Sequence, residues 1–261
     1  MISRRDALKS GAAALAGMAA GTASHAAARP TLGLIAPVDV TVPPEAPRLY
    51  PQVRFIGQSI GLKTMTPEGY DQVLERIAPA ARSLAGAGAA AIVLMGTSLS
   101  FYRGAAYNLE LTRRMQAASG RPAITMSTAV CEGLRSVGAR RLAVATAYDA
   151  EVNARLKVFL HEEGFEVQLM RGLGVERVQD ITRVTQEGLL QFSAAVYRSS
   201  AHADALLISC GGLKTLDLLA PLEARCGVPV VSSLPHALWA GVRLLGISAR
   251  VAGYGRLLSQ A

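Results

Sequence analysis

One of the three cysteines in this 261-residue chain stands where a thiol could do chemistry. Cys210 ends a predicted apolar strand at 204–209 and is followed by Gly211 and Gly212. A thiol at the end of a buried strand would meet any ligand bound there, and the two glycines would let that ligand approach the backbone. Free cysteine is otherwise most often a small core residue. The pattern therefore favours a catalytic role for Cys210, whereas the other two cysteines lie inside predicted helices.

A second loop that could do chemistry follows the all-apolar run at 89–95. Its residues Gly96, Thr97 and Ser98 offer two hydroxyls and several backbone N–H groups. Such donors bind a carboxylate or a developing oxyanion. The alternative is that Thr97 or Ser98 only caps the next helix, which is the more common role for a lone pair of this kind.

The two loops occupy equivalent places in a weak internal repeat. Each half has an apolar strand, a small-residue loop, a helix, a Gly-x-Pro strand at 120–126 or 227–231, and a serine that opens another helix. Two related half-domains facing one another would set loop 96–98 opposite loop 210–212. Ligands of open α/β sheets bind beyond the carboxyl ends of the strands. The repeat itself therefore predicts a site between these loops.

Short apolar runs alternate with helical patterns along the chain, which indicates the elements that hold the loops. Strands are predicted at 31–37, 89–95, 122–126, 141–146, 165–170, 204–209 and 228–231. Helices are predicted at 66–86, 127–138, 150–164, 185–199, 216–226 and 235–245, and another is predicted to follow the loop at 96–100 and to end at 119. A proline-rich loop is predicted at 38–51. Strands that are apolar throughout are buried on both faces. The expected class is α/β, with two pseudo-symmetric Rossmann-like half-domains, each a mainly parallel sheet flanked by helices, and an active site in the cleft between them.

The N-terminal segment 1–28 is typical of a targeting signal rather than of a folded domain. Its Ser-Arg-Arg-x-x-Leu-Lys run at 3–9 resembles a twin-arginine export signal, and an Ala-rich apolar run and small residues suited to cleavage follow. The apolar run is too short to serve as a stable membrane anchor. We therefore expect a signal peptide over 1–28, a catalytic region over 29–261, the twin-arginine export machinery as a partner and a bacterial periplasmic location. A disordered Ala-rich tail is the alternative.

The composition excludes several other classes of protein. A chain with 51% hydrophobic and 18% charged residues is not intrinsically disordered. The net charge is +8, of which +2 belongs to segment 1–28, with two Arg and one Lys against one Asp. The remaining charge is dispersed, and five Phe and one Trp offer little stacking surface, which argues against a nucleic-acid partner. The four His lack metal-ligand spacing, and no phosphate-binding or dinucleotide motif is complete, so we expect no metal and no cofactor.

Several sequence runs carry a family resemblance. The most specific is Gly-Thr-Ser-Leu-Ser-Phe-Tyr-Arg-Gly at 96–104, and further runs lie at 48–51, 66–71, 125–130, 145–148, 209–213, 228–233 and 253–257. Together they resemble the arylmalonate decarboxylase family of the Asp/Glu racemase superfamily, over essentially all of 31–258. Racemases of that superfamily use two cysteines, one from each half. Here the first position holds Gly96, so the single thiol of Cys210 could deliver a proton to one face only.

The resemblance implies a cofactor-free decarboxylation of 2-aryl-2-substituted malonates to chiral arylacetic or arylpropionic acids. One carboxylate would bind the hydroxyls of Thr97, Ser98 and Tyr148, and the enediolate formed there would take its proton from the neutral thiol of Cys210. The other carboxylate would face apolar side chains and lose its hydration, a cost that its departure as carbon dioxide relieves. The implied substrate-binding residues are Gly96, Gly211, Gly212, Pro37, Leu62, Met65, Tyr70, Leu99, Val178 and Ile181. Met65 and Ile181 depart from the family's pattern, which leaves the preferred size of the aryl group open.

Two other functions fit parts of the sequence. An isomerase or racemase of a small dicarboxylate would share the fold, but Gly96 in place of a second thiol counts against it. A periplasmic carboxylate-binding protein without turnover would fit the twin half-domains and the export signal.

Overall fold

Eight parallel strands form two four-stranded sheets in the residues that this computed structural model describes, 29–39 and 41–260. The first sheet has the order β2-β1-β3-β4 and contains β1 (Thr31–Ala36), β2 (Arg54–Ser59), β3 (Ala91–Leu94) and β4 (Ala123–Thr125). The second has the order β6-β5-β7-β8 and contains β5 (Arg141–Thr146), β6 (Glu166–Gly172), β7 (Ala205–Ser209) and β8 (Val230–Ser232). The shared strand order confirms the predicted pair of pseudo-symmetric halves. The predicted signal segment 1–28 lies outside the described residues.

Helices follow the strands in both halves. The first half holds α1 (Glu45–Leu49), α2 (Pro67–Asp71), α3 (Ile77–Gly86), α4 (Thr97–Phe101), α5 (Ala105–Ser119) and α6 (Met126–Ser136). The second holds α7 (Ala150–Glu162), α8 (Gln186–Ser199), α9 (Leu219–Cys226), α10 (Ser233–Leu244) and α11 (Arg256–Gln260). Single 3₁₀ turns occur at Leu74–Arg76, Val178–Arg183 and Leu216–Leu218. Within the described part of the chain, none of the helices is both long and apolar enough to cross a membrane.

Most strands of the two sheets are deeply buried, including the short edge strands β4 and β8. Strands β1, β3 and β7 are buried at every position, as their unbroken apolar runs predict. The edge strand β2 is only partly buried and mixes polar with apolar residues, which is why the sequence pattern missed it. The chain also crosses back at its end, because α10 follows β8 of the second sheet but packs against β3, β4 and α6 of the first half.

Several predicted elements differ in the structure. Segment 96–98, expected as a loop, forms the N-cap and first turn of α4, and the helix expected over 216–226 begins as a 3₁₀ turn. The helix expected over 66–86 is divided into α2, a 3₁₀ turn and α3. Thr66 caps α2 as predicted, since its side chain accepts a hydrogen bond from the Gly69 N–H. Pro79 has no N–H to continue a preceding helix and is tolerated in a first turn, so a new helix begins at Ile77. The proline-rich segment 38–51 contains the short helix α1 rather than loop alone.

Candidate active site

The segments that follow β1, β3, β5 and β7 converge on one cavity of about 110 Å³. These strands are the two central strands of each sheet, where ligand sites of open α/β sheets lie. The cavity is lined by thirteen residues that the sequence nominated: Gly96, Thr97, Ser98, Leu99, Tyr148, Cys210, Gly211, Gly212, Pro37, Leu62, Met65, Val178 and Ile181. Ala36, Val38, Thr41, Pro43, Met95 and Leu234 complete the lining and were not predicted. The structure therefore joins the two predicted loops in a single site.

Tyr70 is the one nominated residue that does not line the cavity. Its side chain is completely buried, and its ring packs on Tyr102 with the centroids 4.8 Å apart. Its hydroxyl forms no hydrogen bond of normal geometry among the described residues, but Ser98 and Cys210 are among the groups that influence its pKa, so the hydroxyl lies beside the site.

Helix α4 places the first hydroxyl group. Its N-cap is Gly96, which has an extended backbone and provides no side chain to cap the helix. Thr97 and Ser98 are therefore the first two helical residues, and their hydroxyls do not serve as caps, contrary to the capping alternative. The first N–H groups of a helix have no intrahelical acceptor, so this turn presents both hydroxyls and free N–H donors to the cavity.

Thr97 is held by buried polar contacts from both halves. Its Oγ1 lies 2.9 Å from the Oγ of Ser233, to which it donates, and 2.9 Å from the Sδ of Met126. The backbone carbonyl of Thr97 accepts hydrogen bonds from Ser100 and from Ser127, each at 2.9 Å. Ser127 and Ser233 both stand at the helix starts that the internal repeat pointed to, although neither was assigned a role from the sequence.

Tyr148 supplies a phenol from the end of β5. Its hydroxyl lies 3.3 Å from the Oγ of Ser209, and its ring meets Phe101 edge to face at 5.7 Å. The side chain is buried, and this burial raises its pKa well above the ordinary value of a tyrosine. The phenol is therefore neutral near pH 7 and can donate a hydrogen bond to an anion.

Cys210 places its thiol at the end of β7. The residue is 5% exposed, and its φ is +156°. Residues other than glycine rarely have a positive φ, and those that do are often found at functional sites. Burial raises the pKa of its thiol to about 11, and the nearby backbone N–H groups of Gly212 and Leu213 limit that rise. Cys210 is therefore a protonated thiol at neutral pH. After it gives up its proton, the backbone N–H groups of Gly212 and Leu213 would stabilise the thiolate.

The other cysteines stay away from this cavity. Cys131 is fully buried in α6, as predicted for a core residue. Cys226 ends α9 and is only partly buried, so its interpretation as core is correct in part. Within the described residues, no group of three or more His, Cys, Asp or Glu side chains could hold a metal ion.

Apolar side chains from both halves form one wall of the cavity. Leu62 and Met65 come from the loop after β2, whereas Val178 and Ile181 come from the 3₁₀ turn after β6. Backbone contacts tie the two segments together, because the Met65 N–H donates to the Glu176 carbonyl at 2.8 Å. Apolar and hydrogen-bonding surfaces thus meet in one enclosed space.

The cavity continues into an open groove of about 720 Å³. The groove shares Leu62, Val178, Ile181 and Gly212 with the cavity, and the exposed Lys63 and Lys214 lie among its other lining residues. A separate depression of about 640 Å³ beside residues 173–188 contains no cysteine and none of the buried hydroxyls. The groove therefore provides a route and further room for a substituent, whereas the small cavity holds the chemical groups.

Comparison with known proteins gives a consistent set of relatives. The family model described as arylmalonate decarboxylase matches residues 32–258. An arylmalonate decarboxylase of Bordetella bronchiseptica is 48% identical over 237 residues, which cover 90% of this chain and 99% of that protein. A maleate isomerase of Nocardia farcinica is 29% identical over 245 residues, which cover 88% of this chain and 95% of that protein.

One solved structure bears on the two central positions. It is a glycine-to-cysteine, cysteine-to-serine double mutant of arylmalonate decarboxylase in the liganded form, with a TM-score of 0.86 and 46% identity over 89% of this chain and 100% of that one. Its two mutated positions are separated by the same number of residues as Gly96 and Cys210.

Proposed function

Since this chain belongs to the arylmalonate decarboxylase family, we propose that it removes carbon dioxide from 2-aryl-2-substituted malonates and yields chiral arylacetic or arylpropionic acids. The observation that carries the proposal is the composition of one cavity. A single protonated thiol shares it with the neutral hydroxyls of Thr97, Ser98 and Tyr148 and with an apolar wall. An isolated acid of this kind suits the delivery of one proton to a carbanion-like intermediate.

The retained carboxylate binds at the polar side of the cavity. Thr97, Ser98 and Tyr148 donate their hydroxyl hydrogens, and backbone N–H groups from the first turn of α4 and from Gly211 add further donors. As the bond to the departing group breaks, its electron pair moves into this carboxylate and gives an enediolate. Donors already aimed at these oxygens stabilise the added charge without reorganisation, which is the main source of acceleration we assign to the site.

The departing carboxylate faces the apolar wall of Leu62, Met65, Val178 and Ile181. These side chains offer no hydrogen bonds to replace its hydration, so the charged group is disfavoured there. Breaking the carbon–carbon bond converts it to neutral carbon dioxide, which an apolar surface accepts. The wall therefore favours the loss of this group over the loss of the carboxylate held by the hydroxyls.

Cys210 completes the reaction by giving its S–H proton to the α-carbon of the enediolate. The thiolate that remains accepts hydrogen bonds from the N–H groups of Gly212 and Leu213 and is then reprotonated from water. In the balanced reaction, one malonate dianion and one proton become one monocarboxylate and one carbon dioxide. Only one protein acid lies in the cavity, so the proton reaches one face of the planar intermediate.

The test uses phenylmalonate labelled with ¹³C in its carboxyl groups, followed by NMR. We expect labelled phenylacetate and labelled carbon dioxide or bicarbonate to form in equal amounts. A Cys210→Ser variant purified in the same way reports the background rate. Absence of labelled carbon dioxide, with one free thiol per site confirmed by titration, would overturn the proposal.

Dicarboxylate isomerisation is the second candidate, because a maleate isomerase is among the relatives. The cavity argues against it, since Gly96 lies where the racemases of the superfamily have a second thiol and Cys210 is its one lining cysteine. Maleate incubated with the protein should stay unchanged. Formation of fumarate at a rate above that of phenylmalonate turnover would favour the isomerase.

Export through the twin-arginine pathway to the periplasm is proposed on segment 1–28 alone. Its basic, apolar and small-residue parts follow the order of such a signal. In a bacterial host, the full chain should appear in the periplasmic fraction in a shortened form, whereas the double variant Arg4→Lys with Arg5→Lys should stay in the cytoplasm. Retention of the unaltered chain in the cytoplasm at full length would contradict the proposal.

A further inference from the structure

The hydroxyl of Ser233 touches both halves of the catalytic machinery. Ser233 is the first residue of α10, is 1% exposed and does not line the cavity. Its Oγ accepts a hydrogen bond from the Cys210 backbone N–H at 3.1 Å. The same Oγ lies 2.9 Å from the Oγ1 of Thr97, which comes from the other half.

The hydroxyl of Ser233 can make only a limited number of hydrogen bonds. A serine hydroxyl has one hydrogen and two acceptor sites. In the structure both acceptor sites are used, by the Cys210 N–H and by the Thr97 hydroxyl, and no acceptor for the hydrogen of Ser233 itself is found among the described residues. The Thr97 hydrogen thus has two acceptors, the Oγ of Ser233 and the Sδ of Met126, each at 2.9 Å, and neither residue lines the cavity.

This arrangement must change when Thr97 holds a carboxylate. Thr97 has one hydroxyl hydrogen, and it cannot be donated to Ser233 and to a ligand at once. Hydroxyl hydrogens rotate freely, and the 2.9 Å distance suits a bond in either direction. If Ser233 becomes the donor, its unused hydrogen is satisfied and the Thr97 hydrogen points at the carboxylate.

We propose that Ser233 is a positioning residue that reverses its hydrogen bond with Thr97 when substrate binds. A chain of donors then runs from the Cys210 N–H through Ser233 and Thr97 to the retained carboxylate. Hydrogen bonds in such chains polarise one another, so Thr97 becomes a better donor to the enediolate than to the ground-state carboxylate. The chain also fixes the backbone that carries the catalytic thiol relative to the hydroxyls of the other half.

This inference rests on the proposed decarboxylation, and a double-mutant cycle tests it. In Ser233→Ala we expect kcat to fall about tenfold with KM changed by less than about threefold, because the lost polarisation matters most in the transition state. In a Thr97→Val background, the same Ser233→Ala change should alter kcat by about twofold or less, because the residue it acts through is gone. A purely structural role would reduce kcat by the same factor in both backgrounds.

Ser232→Ala is the matched control. Ser232 is the adjacent residue and is equally buried, but its hydroxyl pairs with Thr215 at 2.9 Å and touches neither Thr97 nor Cys210. Its kcat should stay within about twofold of the unaltered enzyme. A loss in Ser232→Ala as large as that in Ser233→Ala would overturn the inference.

Ser233→Cys covers the case in which the alanine variant does not fold. It keeps the approximate shape of the side chain but substitutes a weak donor and acceptor, so we expect the same tenfold order of loss in kcat. Full activity in Ser233→Cys, or an undiminished Ser233 effect in the Thr97→Val background, would overturn the inference. Absence of decarboxylation by the unaltered protein would instead show that the proposed function itself is wrong.

Discussion

Cys210 acts as a proton donor because its surroundings hold the thiol in its acid form. Burial opposes ionisation and raises its pKa to about 11, while two backbone N–H groups moderate that rise and remain in place for the thiolate. The required form is the protonated one, so catalysis is supported throughout the neutral range and is lost only as the pH rises through that pKa. A thiol with an ordinary pKa of about 8.5 would begin to lose its proton about 2.5 pH units earlier.

Substitution of Cys210 tests its role as the proton donor. Cys210→Ser should lower kcat about 100- to 1000-fold, the usual contribution of a positioned general acid, because a serine hydroxyl is a far weaker acid. The melting temperature should change little. Cys226→Ser is the matched control, since that partly exposed thiol lies outside the cavity and its loss should leave the rate unchanged. Equal losses in both variants would exclude a special role for Cys210.

At the scale of elements, α10 determines whether the two halves fit together. Gly241 lies where this helix meets the first sheet, and a Cβ at this position would lie 2.6 Å from Val93 and 2.8 Å from Leu32. Both neighbours belong to buried central strands with little freedom to move. The glycine is therefore required by close approach rather than by its backbone angles.

Gly241→Ala should consequently destabilise the protein by about 2 kcal/mol, the typical cost of overpacking a core. The control is Gly86→Ala at the end of α3, where nothing lies within 4 Å of the added Cβ. That change should be neutral or stabilising by about 0.5 kcal/mol, because alanine favours the helix. Urea unfolding of both variants measures the two values. A Gly241→Ala variant as stable as the parent would show that α10 packs less closely than described.

The start of α10 also predicts a dependence of stability on pH. His236 is completely buried, its Nδ1 accepts a hydrogen bond from the Ser232 N–H at 2.8 Å, and burial lowers its pKa to about 4. The unfolded chain takes up a proton near pH 6.5, so the folded state loses stability as the pH falls from about 6.5 to about 4, by roughly 3 kcal/mol in total. Above pH 6.5 the group contributes no pH dependence.

Urea unfolding between pH 4 and 7 measures this effect. The difference between the unaltered protein and His236→Gln isolates the histidine, because the carboxylates titrate in both proteins. The free energy of unfolding of the unaltered protein minus that of His236→Gln should fall by roughly 3 kcal/mol from pH 7 to pH 4, because only the unaltered protein carries the histidine. A constant difference across that range would contradict the assignment of a buried, neutral His236.

At the scale of the whole molecule, the sequence pattern predicted the repeat and the sheet class because central strands are apolar without interruption. It did not predict edge strand β2, whose residues mix polar and apolar types, nor the break before Ile77. For the site, small-residue loops at strand ends located Thr97 and Cys210 directly. Tyr70 lies beside the cavity rather than in its lining, and Ser233 was left without a role, because side-chain direction and contacts between halves depend on packing that one chain's periodicity does not encode.

The arrangement of the two halves explains why one thiol is enough for one-sided protonation. Two related halves present equivalent loops, but the first carries hydroxyls behind Gly96 and the second carries Cys210. The two halves thus supply two faces of a cavity, and a thiol lies on only one of them. We infer from this asymmetry that the enediolate is protonated from one side by one protein thiol.

Turnover of 2-methyl-2-phenylmalonate in D₂O tests one-sided protonation, with the product enantiomers separated by chiral chromatography and their deuterium content measured by mass spectrometry. We expect 2-phenylpropionate in large excess of one enantiomer, with one deuterium at the α-carbon and no further exchange on prolonged incubation. Racemic product, or an enantiomeric excess that decays while the enzyme remains present, would contradict it.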